Sequence, residues 1–321
     1  MTVCARATVP MASALPVSSG PRSTPPTPEP KSGDAFGLSG GRLPAVRAFL
    51  ETLAPDLLRV VVGDIHSDVD GLRSMLRHLG VLDDLGKRQR GFYVVQLGDL
   101  IHGGHGETLA DRRILEKALE GRWFDEVLVG NHELYPTYGL EAGRWNGMTD
   151  PTDRRTAELL QQLHRQGGLT AASAVDGFLI THAGLHGYYE RQITAGQSLT
   201  AVDLAMCLCT EFEARVRERT PRDVFDAIGP ARSDGRDSRP GGIFWLDASE
   251  MAAATPPTSV PQVFGHTPQG HTPVKLPPDV WCADVGAALS GLVCALVKRS
   301  TDRDWTPYVA RSPRGRRRGT G

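Results

Sequence analysis

The sequence predicts an α/β fold with two layers of β-sheet, and two patterns indicate it. In the first half of the chain, short apolar runs alternate with segments of helical periodicity, the order typical of parallel strands joined by helices. In the second half, apolar runs follow one another with few helices between them, which indicates a second sheet packed on the first. At 321 residues and 40% hydrophobic content, the chain can bury a sizeable core.

The elements of the first half can be assigned in order. The first strand is the apolar part of LLRVVVGDIHSD, and a helix follows in DVDGLRSMLRHLG, where Leu72, Met75, Leu76 and Leu79 recur at helical spacing. GFYVVQLGDLIHGG supplies the second strand, ETLADRRILEKALEG the second helix and VLVGNHELYP the third strand, which ends at Gly130. This order predicts parallel pairing of the three strands.

The second half begins with a helix in DPTDRRTAELLQQLHRQGG and a strand in GFLITHAGLH. A further helix in SLTAVDLAMCLCTEFEARVRE carries Cys207 and Cys209, which we expect to pack rather than to bind metal because no second cysteine pair accompanies them. A polar loop spans residues 229–242 and precedes strands in PQVFGHTP, DVWCADVG and SGLVCALVKR.

The ends of the chain differ from its middle in composition. Residues 1–42 hold seven of the 23 prolines and few apolar residues, which predicts a disordered leader. Residues 306–321 include five arginines in the last eleven positions, which predicts a disordered, arginine-rich tail. Residues 43–305 form the expected globular domain.

Composition excludes several classes of partner. The net charge of -1 gives no overall attraction to nucleic acid, for which the basic tail is the sole support. No apolar run approaches the roughly 20 residues of a membrane-spanning helix. The five cysteines form no C-x-x-C pair, which favours a reduced, cytoplasmic setting.

Side chains that bind metal ions follow five of the predicted strands. They are Asp64 and His66 after the first strand, Asp99 after the second, Asn131 after the third, and His182 and His266 after two later strands. Because loops at strand ends bring their side chains together at one edge of a sheet, we expect a single shared site.

This set of nitrogen and oxygen ligands predicts two divalent ions. Asp64 and His66 can hold one ion, and the carboxylate of Asp99 can bridge two. The absence of thiolates suits manganese, with iron or zinc as alternatives. Two adjacent ions generate a hydroxide near neutral pH and stabilise an in-line phosphoryl displacement, in which His132 would act as the general acid.

The motifs GDIH, GDLIHGG, GNHE, THAG and FGHTP occur in this order. The series resembles the calcineurin-like metallophosphoesterases, especially the branch of serine/threonine protein phosphatases and symmetrical dinucleoside tetraphosphatases. The resemblance covers about residues 58 to 298, because WCADVGAALSGLVCALV is also similar to the closing strands of that family.

The resemblance implies a metallophosphoesterase fold, in which two mixed β-sheets are sandwiched between α-helices. It also implies two metal sites and a catalytic histidine. The first site would contain Asp64, His66 and Asp99; the second would contain Asp99, Asn131, His182 and His266; the catalytic histidine would be His132.

One motif departs from the family pattern. Protein phosphatases of this branch usually read G-D-x-x-D-R-G, where the second aspartate supports the catalytic histidine and the arginine holds phosphate. His102 and Gly103 occupy those two positions here. Phosphate must then be held by another residue, for which Arg144 is the candidate, with Arg154 or Arg155 as alternatives.

The sequence therefore predicts a hydrolase of phosphoric esters that acts on phosphomonoesters through a metal-bridging hydroxide, with a serine/threonine phosphoprotein as the leading substrate. A nucleotide phosphohydrolase acting on dinucleoside polyphosphates is the main alternative. A third hypothesis is a catalytically weak protein that binds metal and recognises a phosphorylated partner.

Overall fold

The computed structural model describes residues 56–102, 108–120, 123–140, 152–255 and 257–313. Its strands are β1 (Leu58–Val62), β2 (Phe92–Gln96), β3 (Glu126–Leu128), β4 (Leu169–Thr170), β5 (Ala172–Val175), β6 (Phe178–Thr181), β7 (Gln262–Phe264), β8 (Val274–Leu276), β9 (Val280–Cys282), β10 (Leu292–Lys298) and β11 (Thr306–Arg311). Its helices are α1 (Val69–His78), α2 (Thr108–Leu119), α3 (Asn131–Tyr138), α4 (Arg154–Arg165), α5 (Gly187–Thr194), α6 (Ala201–Glu218), α7 (Asp223–Asp226), α8 (Ala248–Ala252) and α9 (Ala287–Ser290).

The strands form two mixed sheets. Within the described ranges, the first sheet has the order β11-β10-β1-β2-β3-β4 and the second has the order β5-β6-β7-β9-β8. In the first sheet, β1 to β4 run parallel, which the alternation of strands and helices predicted for β1, β2 and β3. In the second sheet, β6, β7 and β9 are parallel, whereas β5 and β8 run antiparallel to their neighbours.

Strand β1 shows how the layers are built. Its side chains alternate between the two faces of the sheet. Val60 and Val62 lie in the core shared with helices, whereas Val61 belongs to a second core together with Ile180 and Trp281 of the other sheet. The two sheets therefore pack against each other, and helices cover their outer faces, which confirms the predicted α/β class with two sheets between helices.

Several short elements gave weaker signals than the long periodic ones. Helix α3 begins at Asn131, where the sequence predicts only the end of a strand, and α5 directly follows the THAGLH segment. Hairpin strand β5 and edge strand β8 have four and three residues. Periods of 3.6 or 2 residues cannot be recognised over such short stretches.

The predicted boundary between domain and tail at residue 306 is wrong. Residues 306–311 form β11, which pairs with β10 along its length. Tyr308 stacks on His78 with 5.1 Å between ring centroids, and the buried hydroxyl of Ser312 donates to Asp68 Oδ1 at 2.9 Å. The arginine-rich composition of the tail hid a short edge strand. Residues 314–321, like the predicted leader at 1–42, lie outside the described residues.

Candidate metal centre

The carboxyl ends of five strands carry the predicted ligand residues. Asp64 follows β1, Asp99 follows β2 and Asn131 follows β3, all in the first sheet. His182 directly follows β6 and His266 follows β7, in the second sheet. Because β1, β2 and β3 are parallel, as are β6 and β7, the loops meet along one end of the sandwich.

Asp99 lies at the centre of the site. Its carboxylate is buried, with Oδ2 at 3.7 Å from His66 Nε2 and 3.9 Å from His132 Nε2, and Oδ1 at 3.6 Å from His182 Nε2. Burial alone would raise the pKa of Asp99, but electrostatic interactions with His182, His132 and His66 outweigh it and hold the pKa well below its usual range. Asp99 is therefore a carboxylate with imidazoles on two sides.

Two groups of potential ligands share this carboxylate. One consists of His66, Asp99 and His132, and the other of Asp99, His182 and His266, with ligand atoms within 4.8 Å of one another in each group. The structure thus brings together four of the predicted residues and His132. Asn131 joins the second group through its Oδ1, which lies 3.0 Å from His182 Nε2.

The histidine rings are oriented as metal ligands usually are. His182 Nδ1–H donates to the Leu97 carbonyl at 2.8 Å, and His66 Nδ1–H donates to the Ile101 carbonyl at 3.3 Å. A carbonyl can only accept, so in each neutral ring the lone pair is on Nε2, which faces Asp99. Burial lowers the pKa of His182, which favours this neutral form. Nitrogen lone pairs that face carboxylate oxygens without a proton between them suit a bound cation.

Asp64 and His266 also have atoms that suit a bound cation. Asp64 Oδ2 accepts the backbone N–H of His266 at 3.0 Å, but the buried Asp64 Oδ1 and His266 Nε2 have no hydrogen-bond partner among the residues that the structure describes. Burial and repulsion from Asp284 and Asp99 raise the pKa of Asp64 well above its usual value. Unsatisfied buried polar atoms are costly, and bound divalent ions would give each of these atoms a partner. Asp64 lies at the predicted edge, although neither of the two ligand groups contains it.

The backbone around the site is strained. Outside glycine, left-handed φ angles are uncommon and cost free energy. Several of the non-glycine residues with positive φ lie in the ligand loops: His66 (44°), Ser67 (64°), Asp99 (51°), His102 (63°) and His266 (68°). Such conformations persist where the surrounding contacts fix them, which here points to a functional site.

Glu133 holds two of these loops together, a role that was not predicted from the sequence. Its fully buried carboxylate accepts the backbone N–H groups of Asp99, Leu100 and Gly130, each at 2.9 Å. Burial and the charge of Asp99 raise the pKa of Glu133, while these hydrogen bonds oppose the shift. A sequence signal existed, because a glutamate three residues after the helix N-cap Gly130 is a capping-box position.

Gly130 itself is dictated by the close approach of Asp99. A Cβ at residue 130 would lie 2.2 Å from Asp99 Oδ1 and 2.4 Å from the Asp99 backbone nitrogen. No side chain fits at that distance, so the glycine of the GNHE motif is required by packing rather than by its φ angle.

Asp284 is a further carboxylate that the sequence analysis did not select. It follows β9 at the same edge of the second sheet, is buried, and accepts the backbone N–H of Gly286 at 2.7 Å. Burial raises its pKa, and its charge raises the pKa of Asp64. The rule that identified the other ligands, a polar residue after a buried strand, also applies to it.

His132 lies where the sequence placed it, next to the shared carboxylate. Its backbone N–H donates to Asp99 Oδ1 at 3.1 Å, and its Nδ1 lies 2.9 Å from Nδ1 of His102. Burial lowers the pKa of His132 to about 4, although Asp99 opposes this shift. His102, which stands at the position of the second aspartate in the G-D-x-x-D-R-G pattern, therefore lies beside the ring of His132.

Of the three arginines proposed to bind phosphate, the structure describes Arg154 and Arg155 but not Arg144. Arg144 and Gly103 lie outside the described residues. The side chains of Arg154 and Arg155 are 93% and 57% exposed, and both pair with Glu158, which places them on the surface.

Arg232 is the arginine that the structure places beside the site. Its Nη2 donates to the His266 carbonyl at 3.3 Å and to Thr267 Oγ1 at 3.1 Å, and it lies 3.5 Å from Asp247 Oδ2. Burial and then the charge of Arg232 lower the pKa of His266. Sequence reasoning missed it because it lies in the polar loop 229–242, where nothing distinguishes it from its neighbours.

A carboxylate shared between groups of imidazoles is how proteins hold pairs of divalent ions, so fold and site together define a metal-dependent hydrolase. Residues 58–270 match the family model of the calcineurin-like phosphoesterases. This is more than half of the chain, and the protein belongs to that family.

The solved structures that match this chain are distant in sequence. A candidate diadenosine tetraphosphatase shares 16% identity, with a TM-score of 0.44, over 80% of this chain and 96% of the other. A cold-active protein tyrosine phosphatase shares 18% identity, with a TM-score of 0.49, over 82% of each chain. A protein serine/threonine phosphatase from Saccharomyces cerevisiae shares 12% identity, with a TM-score of 0.41, over 85% of this chain and 90% of the other.

A search of curated protein sequences finds no significant match. Among the helices that the structure describes, none is long and apolar enough to cross a membrane.

Replacement of Glu133 by glutamine tests how the loops are held. The amide nitrogen of glutamine cannot accept the N–H groups that one carboxylate oxygen now accepts, so the loop with Asp99 should lose its position. We expect Glu133→Gln to weaken manganese binding about 10- to 100-fold, the usual effect of removing a group that orients metal ligands. Calorimetric titration of metal-stripped protein measures this. The control is Glu116→Gln on the exposed face of α2, and equal affinities for the two variants would contradict the assignment.

Proposed function

We propose that this calcineurin-like phosphoesterase hydrolyses phosphomonoesters with the help of two divalent ions, and that phosphorylated serine or threonine side chains are its leading substrate class. The observation that carries the proposal is the Asp99 carboxylate, which lies within 4 Å of three imidazoles and belongs to both ligand groups. The proposal places hydrolysis of the phosphoester at this carboxylate.

The positions and lone pairs of the side-chain nitrogen and oxygen atoms are the basis for assigning ligands to each ion. We assign one ion to Asp64, His66 and Asp99, and the other to Asp99, Asn131, His182 and His266. Asp64 Oδ1 and His266 Nε2, which have no hydrogen-bond partner within the described part of the chain, and the Nε2 lone pairs of His66 and His182 support this assignment. Manganese suits the mixed nitrogen and oxygen donors, with iron or zinc as alternatives. When bound, the ions supply Lewis acidity and an activated water molecule.

His132 is the proposed general acid. Its Nε2 faces Asp99 Oδ2 at 3.9 Å, and its backbone N–H is fixed by Asp99 Oδ1, so the ring is held at the shared carboxylate. A proton on Nε2 is therefore available to a leaving oxygen bound at the site. Asp99 orients His132 as well as the metal-binding histidines.

Binding of the substrate phosphate requires a further positive charge. Arg144 is our candidate from the sequence, and Arg232 is a second candidate because of its position in the structure. The side chain of Arg232 is 22% exposed and borders the loop of His266. Arg232 is therefore near the second ligand group while still accessible to a substrate.

A nucleotide phosphohydrolase acting on dinucleoside polyphosphates is the second candidate, and one observation favours it. The aspartate and arginine that protein phosphatases of the resembling branch carry are replaced by His102 and Gly103. This replacement removes the groups with which those enzymes tune the histidine and hold a monoester phosphate. A catalytically weak protein that recognises phosphate is the remaining alternative.

Activity of metal-stripped protein titrated with manganese tests the proposal. p-Nitrophenyl phosphate should be hydrolysed only after manganese is added, and Asp99→Asn should lower turnover at least about 10²-fold because it weakens both metal sites at once. Asp56→Asn, at an exposed position, is the matched control. Turnover that is independent of manganese, or unaffected by Asp99→Asn, would refute the two-metal mechanism.

The same preparation separates the substrate classes when it is offered a phosphopeptide, bis(p-nitrophenyl) phosphate and a dinucleoside tetraphosphate. Activity confined to bis(p-nitrophenyl) phosphate and the dinucleoside tetraphosphate would contradict the phosphomonoesterase and support the nucleotide phosphohydrolase. Metal binding without turnover on any substrate would indicate the phosphate-recognition protein.

Substitution of the two arginines identifies the phosphate ligand. A charge-assisted hydrogen bond contributes about 1.5–3 kcal/mol, so loss of the correct arginine should raise KM for p-nitrophenyl phosphate roughly tenfold or more. Arg144→Ala and Arg232→Ala should be compared with Arg154→Ala, whose side chain is 93% exposed. If neither variant raises KM above that of the control, both assignments fall.

A further inference from the structure

Glu250 joins the two ends of the polar loop 229–242. It lies in α8, and its carboxylate accepts the backbone N–H of Ala231 at 3.0 Å through Oε1 and that of Gly241 at 2.8 Å through Oε2. A Cβ at residue 229 would lie 2.5 Å from Oε1, so the backbone of the loop packs directly against the carboxylate. Glu250 therefore closes the base of the loop.

Further hydrogen bonds give this loop a fixed shape. Inside it, the N–H of Ser233 donates to the Gly229 carbonyl at 3.1 Å. Near its end, the hydroxyl of Tyr189 donates to the Pro240 carbonyl at 2.7 Å. Because the loop is held internally as well as at its base, the attachment to Glu250 determines where its side chains lie.

Arg232 directly follows Ala231, whose N–H is bound by Glu250. Its Nη2 donates to the His266 carbonyl at 3.3 Å and to Thr267 Oγ1 at 3.1 Å, which places the guanidinium beside the second ligand group. The contacts described for this guanidinium all use Nη2, and a guanidinium has five N–H groups. Since the side chain is 22% exposed, further donors of Arg232 can bind a phosphate at the metal centre.

Helix α8 holds Arg232 at both its backbone and its side chain. Asp247, the N-cap of α8, has Oδ2 at 3.5 Å from Arg232 Nη2, while its Oδ1 accepts the N–H of Ser249 at 2.9 Å. Glu250, three residues further on, holds the backbone of the loop. An arginine that is fixed at two points loses less conformational entropy when it binds an anion, so this one is preorganised.

We propose that Glu250 is a positioning residue, which fixes the loop 229–242 so that Arg232 binds the phosphate of the substrate beside the second ligand group. The proposal rests on the proposed function and selects Arg232 over Arg144 as the phosphate ligand. Glu250 acts on the substrate through Arg232. Loss of Glu250 should therefore weaken substrate binding and leave the metal ligands and His132 in place.

The KM for p-nitrophenyl phosphate of manganese-loaded protein tests this role. In Glu250→Gln, the amide nitrogen cannot accept a backbone N–H, so one end of the loop is released. We expect KM to rise roughly three- to tenfold, the effect of losing about one hydrogen bond, and kcat to change less than about twofold. Manganese affinity should stay the same. The controls are Glu116→Gln, at an exposed position of α2, and Arg236→Ala, whose side chain is 81% exposed in the same loop.

A double-mutant cycle separates positioning from a merely structural role. If Glu250 acts through Arg232, Glu250→Gln should change KM little in protein that already carries Arg232→Ala. A structural role would raise KM by the same factor in both backgrounds. Asp247→Asn retains a good N-cap residue but removes the charge beside the guanidinium, and its effect on KM should depend on Arg232 in the same way. Additive effects of Glu250→Gln and Arg232→Ala would overturn the proposal.

Limited digestion with trypsin gives a readout that does not depend on activity. The loop contains Arg232 and Arg236, and trypsin cleaves after arginine. Mass spectrometry of the fragments should show faster cleavage within the loop in Glu250→Gln than in the wild type or Glu116→Gln. Equal rates of cleavage would contradict the attachment of the loop to Glu250. Faster cleavage with an unchanged KM would contradict its role in substrate binding.

Failure of this proposal and failure of the proposed function give different results. If Asp99→Asn leaves turnover unchanged, the proposed function fails. If Asp99→Asn abolishes turnover and Arg232→Ala raises KM, but Glu250→Gln leaves KM unchanged, only the positioning role of Glu250 fails. If Arg232→Ala leaves KM unchanged, Arg232 is not the phosphate ligand and the proposal falls with it.

Discussion

The buried charge of Asp99 is the constraint on which the rest of the site depends. A carboxylate in this position is tolerated because His182, His132 and His66 lie around it and because Glu133 fixes its backbone from the neighbouring loop. Removing one of these groups would leave the buried charge with fewer partners, and an unpaired charge is among the most costly features of a protein interior. The same geometry that stabilises Asp99 presents its two oxygens to two sets of nitrogen ligands.

The pairing of strands in the two sheets explains why these groups meet. Parallel pairing of β1, β2 and β3 brings three loops to one end of the first sheet, and parallel pairing of β6 and β7 brings His182 and His266 to the facing end of the second. Apolar side chains such as Val61 and Trp281 fill the space between the sheets and fix their separation. Positive φ angles in the ligand loops are maintained by this rigid framework.

Much of this architecture could be predicted from the sequence, because long strands and helices have recognisable periods and the ligands follow strand ends. The fold class was confirmed, and the predicted ligands lie at one edge. What escaped prediction depends on tertiary contacts. Glu133 acts through backbone N–H groups of another loop, Arg232 is one arginine among several in a polar loop, and the pairing of His102 with His132 joins residues 30 positions apart. Strand β11 was concealed by the arginine-rich composition that surrounds it.

The central claim is that one aspartate bridges two metal ions. Crystals grown with manganese, measured at an energy where manganese scatters anomalously, test it most directly. We predict two anomalous peaks about 3.5–4 Å apart, one beside His66 and Asp99 and the other beside Asp99 and His182. A single peak away from Asp99, or no peak in protein that hydrolyses phosphoesters, would contradict the account.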